Sequence, residues 1–136
     1  MKSPLRFVLL AALVGCATDD SRLHGTWQSN REATVAAAIR QNPSLKYLPP
    51  DRLEGFRNTY GHLTMTYSNG VATGTYRGGT EVWHYKVIKR GPDFVAIQNP
   101  IKGAPDFKIR FVEDGKAYWV GGVSQFEERF DKVETK

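Results

Sequence analysis

The sequence predicts a mainly β domain, an antiparallel up-and-down barrel of about eight short strands with a two-helix insert between strands 1 and 2. Three observations lead there. From His62 to the C-terminus, apolar and polar residues alternate with period two in short segments separated by turn residues. Residues 30–61 instead carry apolar side chains at helical spacing. The 136-residue chain holds one cysteine, so intramolecular disulfides are excluded and one hydrophobic core must stabilise a single domain.

At the N-terminus, Lys2 and Arg6 form a basic start, Phe7 to Val14 an apolar run, and Gly15 a small residue before Cys16. This is a secretory signal peptide pattern, and the run falls short of the about 20 apolar residues a membrane helix needs. Residues 1–15 are therefore expected to be cleaved. Leu13-Val14-Gly15-Cys16 resembles the lipobox of bacterial lipoproteins. The resemblance implies that Cys16 carries lipid and becomes the acylated N-terminus, which anchors the mature chain without any spanning segment. It also implies, through Ala17, an outer-membrane location facing the periplasm rather than the inner membrane. Residues 16–22 then read as a lipidated tether, because Thr18-Asp19-Asp20-Ser21 is polar and aperiodic. Residues 23–136 read as the folded domain. Cleavage leaves 121 residues and removes Lys2 and Arg6, which lowers the formal charge from +5 to +3. The remaining basic residues are scattered among apolar ones, which argues against nucleic acid as a partner.

Leu23 to Gln28 reads as the first strand. Ser29 and Glu32 have capping-box spacing, Val35, Ala36 and Ile39 share a face, and Asn42-Pro43 ends that helix. A second helix begins at Pro50-Asp51, where proline fits the first turn and aspartate the positive end of the dipole. Leu53, Phe56 and Tyr60 share its apolar face, and Gly61 supplies a left-handed stop. Strands follow at Leu63 to Tyr67, closed by Ser68-Asn69-Gly70, and at Val71 to Arg77, closed by Gly78-Gly79. The alternation of Trp83, Tyr85 and Val87 reads as one strand ending before Gly91-Pro92. Asp93 to Gln98, Phe107 to Phe111, Lys116 to Val120 and Phe126 to Val133 complete the meander, with a type I′ turn signal at Asp114-Gly115. Closing such a meander would leave no sheet edge to protect.

Gly25-Thr26-Trp27, the helical insert, the meander and the final Glu128-Arg129-Phe130-Asp131-Lys132-Val133 together resemble the small lipocalin-like (calycin-type) bacterial lipoproteins. The resemblance implies that Trp27 fills the closed end of the barrel and that Gly25 permits a close crossing there. It further implies that a basic residue of the last strand, Arg129 or Lys132, packs across Trp27. The place of the helix pair is similar to that of the lid in intracellular fatty-acid-binding proteins. Leu53, Phe56 and Tyr60 would then seat the second helix over the mouth.

Catalytic motifs are not evident. His24, His62 and His84 lack metal-ligand spacing, a Gly-x-Ser-x-Gly elbow is missing, and neighbours such as Glu127 and Glu128 point to opposite faces of a strand. Neither enzymatic activity nor a cofactor or metal is expected. The informative residues are Leu63, Met65, Tyr67, Trp83, Tyr85, Phe107, Ile109 and Phe111. They are candidates to line a pocket for a small apolar ligand such as a fatty acid or lipid fragment. The same side chains would also serve to fill the barrel. A filled barrel would leave the surface, with Trp119 and the Gly121-Gly122 loop, to bind another envelope protein. The chain is expected to be a monomer.

Overall fold

The computed structural model describes residues 18–121 and 126–134. Leu13, Val14, Gly15 and Cys16 lie outside them. Among the described residues nine strands form: β1 (Gly25–Ser29), β2 (Leu63–Ser68), β3 (Val71–Tyr76), β4 (Gly79–His84), β5 (Val87–Arg90), β6 (Phe94–Ile97), β7 (Phe107–Val112), β8 (Ala117–Gly121) and β9 (Glu128–Val133). Helices α1 (Arg31–Gln41) and α2 (Pro50–Asn58) follow β1 and precede β2. None of the helices among the described residues is long and apolar enough to cross a membrane.

The strands pair antiparallel in the order β4-β3-β2-β1-β9-β8-β7-β6-β5. The first and last strands meet, as Trp27 opposite Lys132 shows, and the sheet stays open between β4 and β5. The result is a nine-stranded half-barrel rather than a closed barrel of eight strands. The opening falls within the stretch read as a single strand. Tyr85 N–H donates to Gly70 O at 2.9 Å and Val87 N–H to Thr18 O at 2.8 Å. The chain thus leaves β3 at Tyr85 and takes a new partner two residues later. Trp83, Tyr85 and Val87 all still pack in the core, so the period-two pattern runs through the break without a sign of it.

Local chemistry explains most turns. Asn69 (φ 50°) and Gly70 (φ 80°) join Ser68 to Val71, the left-handed pair that a two-residue hairpin needs. Between β7 and β8 the turn is longer than the expected Asp-Gly pair. Val112 pairs with Ala117, and Glu113, Asp114 and Gly115 all have positive φ.

The cap of α1 is Asn30, whose Oδ1 accepts from Ala33 N–H at 3.0 Å, not the Ser29–Glu32 box. Its buried face is Thr34, Val35 and Ala38, while Ala36 is exposed. Thr34 Oγ1 accepts from Arg129 N–H at 2.9 Å and so ties α1 to β9. Helix α2 buries no side chain fully.

Residues 18–22 are not a free tether. Asp20 caps a 3-10 turn over Ser21–Leu23 by accepting from Arg22 N–H at 3.0 Å. The Arg22 guanidinium donates to Gly91 O at 2.9 Å and Pro92 O at 3.0 Å, so the segment straps the β5–β6 turn.

Candidate functional site

Because alternate residues of a strand face one side, six strands contribute to one partly open cavity of about 200 Å³. Leu63, Met65 and Tyr67 come from β2, and Trp83 and Tyr85 from β4 and its end. Ile97 comes from β6, Phe107 and Ile109 from β7, Tyr118 and Val120 from β8, and Glu128 and Phe130 from β9. An engineered apolar cavity of about 150 Å³ takes up benzene, whereas sites for drug-sized ligands run to about 300–1,000 Å³. The cavity thus has room for one ring or a short chain, not for a whole fatty acid.

A second, open cleft of about 670 Å³ lies beside it, with Val82, Asn99, Pro100 and Ile101 among its walls. Trp83 and Phe107 line both spaces and form the partition between them. Gly74 seats that partition: a Cβ there would stand 3.3 Å from the Trp83 indole and 3.2 Å from Met65 Sδ. The cleft lip is apolar, with Val82 64% and Ile101 69% exposed.

Polar atoms in the cavity wall are few. The Tyr67 and Tyr118 hydroxyls are 3.2 Å apart and pair with each other, and burial pushes the Tyr67 phenol up to about 12. The Tyr85 hydroxyl donates to Asp19 Oδ1 in the N-terminal strap. Glu128 is the exception. Ser29 Oγ accepts from Gly61 N–H at 3.0 Å, so its own proton goes to Glu128 Oε2 at 2.6 Å. Burial raises the Glu128 pKa, and the Ser29 hydrogen bond opposes that shift without cancelling it.

At the opposite end, Trp27 is fully buried, donates from Nε1 to Leu23 O at 2.8 Å and lies 4.8 Å from the Tyr118 ring. Lys132 Nζ sits 5.4 Å from the Trp27 ring centroid. Gly25 has φ +123°, and a Cβ there would approach Lys132 Cε to 3.1 Å. Arg129 does not reach Trp27. It bonds Asp131 Oδ1 at 2.9 Å, pairs with Glu113 and covers Trp119 at 6.0 Å, which leaves Trp119 half-buried.

Of the eight candidate lining residues, Phe111 is misplaced by the sequence reading. Two residues along β7 from Ile109 is about 7 Å. That step carries Phe111 to the end of the sheet where Trp27 lies, 6.5 Å from Trp27 and under the Arg22 guanidinium at 5.2 Å. Leu53, Phe56 and Tyr60 do not line the cavity either. Phe56 packs edge-on against Tyr60 at 5.5 Å and Phe126 at 5.9 Å. The sequence reading missed Ile97, Tyr118, Val120 and Glu128, whereas Phe130 follows from the aromatic alternation of the last strand. A signal existed for Glu128, which shares the parity of Phe126 and Phe130 and so interrupts an aromatic face.

His24 Nε2 pairs with Asp19 Oδ2 at 2.8 Å, and among the described residues no group of three His, Cys, Asp or Glu could hold a metal ion. Compared with known protein families, curated proteins and solved structures, the chain matches none.

Proposed function

We propose that the protein is a lipid-anchored, non-enzymatic lipoprotein of the bacterial envelope, lipocalin-like in fold, that takes up one small apolar molecule. The observation that carries this reading is the cavity of about 200 Å³ with its aromatic and aliphatic wall. A ring or short chain burying ~150–200 Å² there gains ~4–5 kcal/mol, a millimolar-to-submillimolar interaction before ordering costs. Contact with the adjoining cleft, through Trp83 and Phe107, would add area to a longer ligand. Acylated Cys16, after removal of residues 1–15, holds the domain on the outer membrane.

Two measurements test this. Calorimetric titration with toluene should detect saturable binding that Val120→Phe abolishes by filling the cavity. Binding unchanged in that variant would place the ligand elsewhere. In cells fed labelled palmitate, Cys16→Ser should remove the label and release the protein from the membrane fraction; retained label would refute the anchor.

A further inference from the structure

We infer that Glu128 is a ligand anchor that makes the cavity select apolar molecules bearing a hydroxyl group and reject those bearing a carboxylate. The inference rests on the ligand-binding reading above and adds the chemical class. Its basis is the geometry of the carboxyl group. Glu128 is the one ionisable carboxyl in a wall that is otherwise aliphatic and aromatic, with tyrosine hydroxyls as its other side-chain polar groups, and among the described residues it pairs with no lysine or arginine. Its hydrogen bond there is to Oε2, from a Ser29 hydroxyl whose lone pair is occupied by Gly61 N–H. Oε1 accepts no hydrogen bond from the described residues and is not sealed from solvent, so a ligand hydroxyl in the cavity can replace water as its partner.

A hydroxyl satisfies that atom in either protonation state, since it donates to a carboxylate and accepts from a carboxylic acid. Burying a carboxyl away from water without such a partner is unfavourable, and burial has already raised the Glu128 pKa. With Glu128 ionised, a ligand carboxylate would set two negative charges side by side in the same cavity, which disfavours both. The Tyr67–Tyr118 bond uses one of the two hydroxyl protons and leaves the other able to donate to a ligand, so the Glu128 variants are what separate its contribution from that of the carboxyl group. Glu128 also links β1, β9 and the turn before β2 through Ser29, so the test must separate anchoring from structural support.

The experiment titrates toluene, p-cresol and p-toluate calorimetrically into the full chain carrying Cys16→Ser, which cannot be acylated, at neutral pH. The expected order is p-cresol at least tenfold tighter than toluene, with p-toluate undetected. Glu128→Leu should bring p-cresol to within threefold of toluene. Glu128→Gln should let p-toluate bind. A purely structural role would lower stability in these variants and leave the p-cresol to toluene ratio unchanged, which overturns the inference. Equal binding of toluene and p-cresol in the parent overturns it too, while leaving the apolar cavity reading intact. Failure of all three to bind overturns both.

Discussion

Gly25 meets two demands at once, a φ of +123° and the passage of the Lys132 stem 3.1 Å from where a Cβ would stand. Gly25→Ala should therefore lower the unfolding free energy by ~1–3 kcal/mol in urea titrations. Adding Lys132→Ala removes the clash but not the backbone strain, so the double variant should recover only part of the loss. Charge acts at the same scale in the strap. Hydrogen bonds from Arg22 hold the Asp20 carboxyl below its ordinary value of 3.8. Burial pushes Asp19 upward, but bonds from Tyr85 and His24 outweigh it and leave its pKa lowered as well. A depressed folded pKa adds stability that is present above 3.8 and lost as pH falls through the folded values. The urea midpoint should thus drop below about pH 4, and Asp20→Asn should flatten that drop; an unchanged slope would mean that the strap carboxylates do not couple to folding.

The two helices differ in how they are held. α1 fastens to β9 through a polar contact, because the buried Thr34 hydroxyl accepts from Arg129 N–H at 2.9 Å. Thr34→Val keeps the shape and leaves that N–H without its acceptor, which should cost ~1–3 kcal/mol by chemical denaturation. α2 is fastened by Phe56 against Phe126, by Arg57 paired with Glu32 of α1 at 2.8 Å and by Arg77 donating to Asn58 O at 3.0 Å. Phe56→Asp should speed amide hydrogen exchange in residues 50–58 and leave toluene affinity within twofold. A tenfold fall in affinity would reinstate α2 as a lid. Both helices were legible from spacing and breakers, but their buried faces were not. A hydropathy pattern cannot foresee that a threonine will find a strand amide to bond, or that Ala36 will face solvent.

For the molecule as a whole, the decisive feature is the opening between β4 and β5 and the strap beneath it. Thr18 O accepts from Val87 N–H, Asp19 bonds Tyr85, and Arg22 bonds the carbonyls of Gly91 and Pro92. A chain beginning at Leu23 loses all of these links. It should melt several degrees lower than one beginning at Ala17, at ~4–8 °C per kcal/mol for a domain of this size. Equal melting temperatures would return residues 18–22 to the status of a tether. In the candidate site, alternation located seven residues of the cavity wall and failed at Phe111, because parity assigns a face but not a depth along the strand.

By itself the sequence determined which side chains point inward. It also determined the meander, with its hairpin at Asn69-Gly70. These follow from period-two geometry, the rarity of positive φ and short-range turn chemistry, all local to a few residues. Only the tertiary structure decided that the sheet opens between β4 and β5, that Lys132 rather than Arg129 crosses Trp27, and that Glu128 enters an apolar cavity of about 200 Å³. Each of these depends on partners far away in the chain. A strand's alternation is the same whether its edge is paired or free, and a cavity is the volume left over when side chains from six strands meet.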